Sequence, residues 1–126
     1  MDVRSTRHSK YNINYHLVWI PKYRRPILIG EVATHLSDIF HTIADKKGLE
    51  ILSMEIMPDH IHLFISSPPQ NAPSLIINWF KGISARMYNY WYGDTPIRWT
   101  NSYYVGTAGT VTAETIKKYT EEQKSK

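Results

Sequence analysis

The sequence predicts an α+β fold in which an antiparallel four-stranded sheet carries two helices on one face, with a third helix left over at the C-terminus. Three observations predict it. The chain has 126 residues, a length suited to one domain around a single core. Segments that alternate with period two and segments with an apolar helical stripe follow one another as strand, helix, strand, strand, helix, strand, helix. No internal repeat, low-complexity tract or long linker divides the chain, so residues 1–126 read as one domain.

Each element has its own signal. Tyr11, Ile13, Tyr15, Leu17 and Trp19 alternate with Asn12, Asn14, His16 and Val18, and Pro21 ends this first strand. Val32, Leu36, Ile39, Phe40 and Ile43 fall on one helical stripe, Lys46 and Lys47 suit the last turn, and Gly48 is a good C-cap. A second strand covers about Leu49 to Met57, and Pro58-Asp59 breaks it from a third over His60 to Ser66. Pro68-Pro69 and Asn71-Ala72-Pro73 introduce a helix with Ile76, Trp79, Phe80, Ile83 and Met87 on its apolar side. A short fourth strand lies around Ser102 to Thr107. After Gly106 and Gly109, Thr110 or Thr112 can cap a last helix running to about Gln123. The first six elements match the split βαβ, or ferredoxin-like, arrangement. The last helix is free to cover the open face of the sheet or to reach another subunit.

Composition narrows the function classes. Fifteen Lys+Arg against eleven Asp+Glu give a net charge of +4, and a hydrophobic content of 42% is too high for a disordered chain. No apolar run approaches the roughly 18–20 residues that span a bilayer, and Met1-Asp2-Val3-Arg4-Ser5 lacks the apolar stretch of a signal peptide. A soluble, cytoplasmic protein is expected. The absence of cysteine excludes disulfides, thiolate metal sites and thiol nucleophiles. A pI near 9.3 favours a polyanionic partner. Nine Tyr and four Trp matter more, because several sit among cations: Lys10-Tyr11, Lys22-Tyr23-Arg24-Arg25 and Arg98-Trp99. Cations pair with phosphates while rings stack on unpaired bases, a combination suited to single-stranded nucleic acid. Lys22, Arg24, Arg25, Lys81, Arg86 and Arg98 are candidates for contact with a DNA backbone; the plainer alternative is solvated charge over a core of rings.

His60-Ile61-His62 carries the chemistry. In a strand His60 and His62 share one face, and Ile61, Leu63 and Ile65 the other. The apolar set should pack under the two helices, leaving two imidazoles on the uncovered face, close enough to hold one metal ion with positions open for substrate oxygens. Tyr119 and Gln123 are four apart, on one face of the last helix. A tyrosine hydroxyl can act as a nucleophile, and a glutamine carbonyl oxygen as a third metal ligand. The alternatives are a histidine pair without a ligand, a packed ring and a solvated amide. His16 shares the less apolar face of the first strand with Asn12 and Asn14, and reads either as a residue that lines the site or contacts phosphate or, by preference, as a hydrogen-bonded neighbour of the site or of the sheet; Asp59 and Glu55 are further candidates for supporting the histidines.

These residues carry a resemblance. Met57-Pro58-Asp59-His60-Ile61-His62-Leu63-Phe64 looks like the His-hydrophobic-His motif of the HUH nucleases, which process single strands. Tyr15-His16-Leu17-Val18-Trp19, Pro21-Lys22-Tyr23-Arg24-Arg25, Trp99, Tyr103-Tyr104-Val105-Gly106-Thr107, Gly109, and Lys118-Tyr119 with Gln123 are similar to the one-tyrosine IS200/IS605 transposases of that superfamily. The match runs from about Tyr15 to Gln123. It departs at Thr120, where the family usually has an aliphatic residue, and in a tail that stops three residues beyond Gln123. The resemblance implies that Tyr119 attacks a DNA phosphodiester to form a 5′-phosphotyrosine. It implies Mg²⁺ held by His60, His62 and Gln123, with Mn²⁺ a plausible substitute. It further implies recognition of hairpins near the ends of an insertion sequence, and a homodimer in which Tyr119 of one chain completes the His60/His62 site of the other. Two other readings keep the same fold: a domesticated relative of the REP-associated type, and a non-catalytic module that binds single strands.

Overall fold

The computed structural model describes residues 12–94, 96–107 and 113–122, with side chains in the last helix from residue 117 onward. Strands β1 (Ile13–Trp19), β2 (Glu50–Met57), β3 (His60–Ser67) and β4 (Tyr104–Thr107) form one antiparallel sheet in the order β2-β3-β1-β4. Helix α1 (Glu31–Lys47) links β1 to β2, and α2 (Pro73–Asn78) and α3 (Ser84–Tyr92) lie between β3 and β4. This is the split βαβ arrangement, with β2 and β4 at the edges. Helix α4 (Ala113–Glu122) is added at the end. No helix among the described residues is long and apolar enough to cross a membrane.

The core forms because the alternation in the strands and the stripes on the helices face one another. Leu17 and Trp19 of β1 and Ile61, Leu63 and Ile65 of β3 are fully buried, and they pack with Leu36, Phe40 and Ile43 of α1 and with Ile76, Ile77 and Phe80. Trp19 is the hub: its ring meets Phe40 edge-on at 5.5 Å, Trp99 edge-on at 5.8 Å, and Phe80 at 6.4 Å. Helix α1 stops where its sequence says it should. Gly48 adopts φ +70°, ψ +29°, and its N–H reaches back to the carbonyls of Ala44 and Asp45.

Two elements differ from their sequence reading. The helix expected after Pro73 contains a π-turn, Trp79–Ile83, between α2 and α3, although its backbone stays helical across both junctions. The extra residue in that turn shifts the buried stripe, so α3 buries Ser84 and Tyr88 while Met87 is only half-buried. The fourth strand begins at Tyr104 rather than Ser102. The backbone before it is engaged elsewhere: Lys81 Nζ donates to the carbonyls of Thr100 at 2.7 Å and Ser102 at 3.1 Å. The start of the first strand at Tyr11, and the expected caps Thr110 and Thr112, lie outside the described residues.

Candidate active site

The turn after β2 sets the geometry. Pro58-Asp59 closes a two-residue hairpin, so Met57 pairs with His60 and Glu55 with His62. On the next strand Val18 pairs with His62, and beyond it Tyr104 pairs with Val18. Glu55, His62, Val18 and Tyr104 therefore make one row across the sheet, on the face opposite the core. His60 and His62 stand on that face as the alternation requires, with side chains 19% and 12% exposed.

A carboxylate lies beside Nδ1 of each imidazole. Asp59 Oδ1 is 2.9 Å from His60 Nδ1, and Glu55 Oε1 is 3.4 Å from His62 Nδ1. A carboxylate on Nδ1–H fixes the ring's orientation and puts the lone pair on Nε2, as in histidines that bind metals. Burial, then repulsion from His16, pushes the pKa of His62 below the ordinary imidazole range, against an opposing pull from Glu55. Burial and His16 thus favour the neutral ring, the state a ligand needs. His16 stacks on Phe64 at 4.2 Å and places its Nδ1 2.9 Å from His62 Nε2. With the His62 proton on Nδ1 beside Glu55, His16 is the donor there, and an ion on His62 Nε2 would take the place of this bond. Among the described residues no group of three or more His, Asp or Glu is spaced to hold an ion. By donor chemistry alone, two imidazoles on one face are of the kind that could supply part of a divalent cation's ligands, and Gln123, the sequence's third candidate, lies outside the described residues.

Helix α4 covers part of the same face of its own sheet. Tyr119 packs on Val18, Ile20 and Tyr104, at the β1–β4 end of the row that carries His62. Its hydroxyl is 3.3 Å from Ser102 Oγ. Burial pushes the phenol's pKa up, and the contact with Ser102 opposes this. Thr120 is buried without cost to its hydroxyl, which donates to the Lys117 carbonyl at 2.9 Å.

The six cations proposed for DNA fall into three settings. Lys22, Arg25 and Arg98 are exposed and gather with the exposed ring of Tyr23 around a cleft of about 420 Å³, walled by Pro21, Ile27 and Pro96. Lys22 Nζ and the Arg25 guanidinium lie 5.7 and 5.5 Å from the centre of the Tyr23 ring. Arg86 is exposed on α3, away from the lining of this cleft. Lys81 and Arg24 are half-buried and bound within the protein: Lys81 to the two carbonyls noted above, and Arg24 to Asp59 Oδ2 at 3.4 Å and the Thr120 carbonyl at 3.0 Å. Sequence reasoning missed Ser102, which carries no motif. It named Glu55 without its partner, yet a two-residue turn at Pro58-Asp59 already sets Glu55 opposite His62.

Comparison with known proteins adds the lineage. Residues 9–123 match the family model described as IS200-like transposase. The chain is 38% identical to the ISDra2 transposase TnpA of Deinococcus radiodurans, covering all of this chain and 94% of that protein. It is 34% identical to the transposase for insertion sequence element IS200 of Salmonella typhimurium, covering 97% of this chain and 84% of that protein. The crystal structure of a candidate transposase from Deinococcus radiodurans R1 superposes with a TM-score of 0.90 at 34% identity, over 98% of this chain and 99% of that one. A REP-associated tyrosine transposase bound to a REP hairpin shares the fold, with a TM-score of 0.59 at 13% identity over 93% of this chain and 69% of that one.

Proposed function

The chain belongs to the IS200-like transposase family, and on that footing we propose that it cuts and rejoins single-stranded DNA at insertion-sequence ends, with Tyr119 as nucleophile and a divalent cation at His60 and His62. One observation carries this reading: two imidazoles with Nδ1 beside carboxylates stand on the same face of the sheet as the tyrosine of α4. Gln123, one helical turn beyond Tyr119 in sequence, is the proposed third ligand. When bound, Mg²⁺, or Mn²⁺ in its place, would stabilise negative charge on the phosphate under attack.

The chain's own residues do the rest. The Tyr119 oxygen attacks phosphorus, the bond from phosphorus to the 3′ oxygen breaks, and the phenol's proton ends on the freed 3′-hydroxyl. One phosphodiester replaces another, so a 3′-hydroxyl can reverse the step and join a new strand without ATP. An unperturbed phenol is about 0.1% ionised at pH 7, a penalty of roughly 4 kcal/mol. Burial of Tyr119 raises that penalty, so the hydroxyl must exchange Ser102 for the phosphate and its charge must be met there. The cleft of Lys22, Tyr23, Arg25 and Arg98 suits a single strand, with cations for phosphates and a ring for a base. Hairpin recognition follows from the family resemblance, and the REP-associated neighbour of the same fold holds a hairpin. The active form is proposed to be a homodimer in which α4 can exchange between copies, so that Tyr119 of one serves the histidines of the other.

The test is incubation with labelled single strands from the element's ends. A covalent protein–DNA adduct that needs Mg²⁺ or Mn²⁺ supports the reading. Full cleavage in EDTA would remove the metal from it, and cleavage that leaves no adduct would remove the tyrosine.

A further inference from the structure

We propose that Arg24 is a positioning residue that clamps the nucleophile's helix to the support of the first histidine; the roles of Tyr119 and His60 in this rest on the reading above. The Arg24 guanidinium spans two elements distant in sequence. Its Nη1 donates to the Thr120 carbonyl at 3.0 Å, and its Nε lies 3.4 Å from Asp59 Oδ2. The other oxygen of that carboxylate is 2.9 Å from His60 Nδ1. One chain of polar contacts thus runs from the backbone beside Tyr119, through Arg24 and Asp59, to His60.

Three features mark this as a built arrangement. Arg24 is half-buried, whereas Lys22 and Arg25 on either side are exposed. The backbone is bent to deliver it: Tyr23 and Arg24 have φ of +62° and +50°, a left-handed pair of non-glycine residues that persists only where surrounding contacts hold it. The accepting carbonyl belongs to the last turn of α4, where carbonyls lack partners within the helix and a cation is favoured. A guanidinium offers several donors in a fixed fork and can serve both acceptors at once; an ammonium serves them less well. The clamp acts on a helix that Tyr119 also ties down, by packing on Val18, Ile20 and Tyr104 and by its hydroxyl contact with Ser102. Arg24 therefore sets how tightly the nucleophile is held over the histidine face.

The competing role, a phosphate contact, moves different observables. The experiment compares wild type, Arg24→Lys and Arg24→Ala as full chains, by amide hydrogen exchange and by binding to a DNA hairpin across a salt series. Expected for Arg24→Ala is exchange at residues 117–122 faster by about tenfold or more while β1 and β3 stay protected. Hairpin affinity and its salt slope stay at wild-type values, and adduct formation slows by about 10- to 100-fold. Arg24→Lys should fall between. Unchanged exchange in α4 overturns the clamp, as does a salt slope reduced by about one with α4 undisturbed, which is the mark of a phosphate contact. If Arg24→Ala loses protection in β1 and β3 as well, Arg24→Lys decides by the same criterion. If the wild type forms no adduct, the functional reading fails, and the exchange data still decide the clamp.

Discussion

The two faces of the sheet are built on different terms. On one, Leu17, Trp19, Ile61, Leu63 and Ile65 meet α1, α2 and the π-turn in an apolar core that holds Trp19, Phe40 and Phe80, the largest fully buried side chains. On the other, the same strands present His16, His60, His62 and Phe64, partly covered by one short helix that rests on Val18, Ile20 and Tyr104. Strand alternation lets a single run, His60–Ser67, serve both, because every second residue belongs to the other face. Stability and chemistry can therefore be separated by mutation.

The largest effect expected on the open face is catalytic. His60→Ala or His62→Ala should lower single-strand cleavage by about 10³-fold or more, since the proposed ion loses an imidazole ligand. The same variants should lower unfolding free energy by only about 1–2 kcal/mol, since what they lose is hydrogen bonds to Asp59, Glu55 and His16 rather than core packing. Cleavage assays beside denaturant titrations check this. Phe40→Ala is the mirror image: about 3–5 kcal/mol of stability lost from a fully buried ring, with cleavage per folded molecule near wild type. A core variant that abolished cleavage while folded would show that the faces are coupled.

The proposed exchange of α4 between copies has an all-or-none test. Mixing Tyr119→Phe chains with His60→Ala/His62→Ala chains should restore adduct that neither makes alone, because one intact composite site re-forms in the heterodimer. No rescue from a verified heterodimer leaves α4 acting on its own sheet, where the single chain has it docked.

A pH dependence is expected at the edge of the site. Burial lowers the pKa of Lys81 to about 8, against 10.5 in the unfolded chain. Between those values the unfolded state binds more protons, so stability rises with pH from about 8. Above about pH 10 the raised phenol of Tyr119 opposes it, since the unfolded tyrosine ionises first. Lys81→Met should flatten the rise, as measured by unfolding titrations from pH 7 to 10.

The fold was legible because its signals are local: alternation in β1 and β3, the stripe of α1, the glycine that ends it, and the two-residue turn that aligns β2 with β3. His60 and His62 were legible for the same reason, since a spacing of two in a strand places them together. The π-turn was not, because the extra residue that shifts the stripe onto Tyr88 leaves no mark in helical periodicity. Nor were the long-range partners. The contacts between Ser102 and Tyr119, Arg24 and Thr120, and Lys81 and the carbonyls before β4 depend on how distant segments come to rest. Arg24 shows the limit best: within Lys22-Tyr23-Arg24-Arg25 it reads as one more cation for DNA, and only the fold, which half-buries it between Asp59 and the Thr120 carbonyl, separates it from its exposed neighbours.

The most direct test of the account is to locate the covalent bond. The chain is incubated with single-stranded DNA from the element's ends and Mg²⁺, the DNA is trimmed, and the adducted peptide is identified by mass spectrometry. The account predicts the nucleotide on Tyr119 through a 5′-phosphate, no adduct from Tyr119→Phe, and hairpin binding retained in that variant. An adduct on another residue, or an undiminished adduct from Tyr119→Phe, would contradict it.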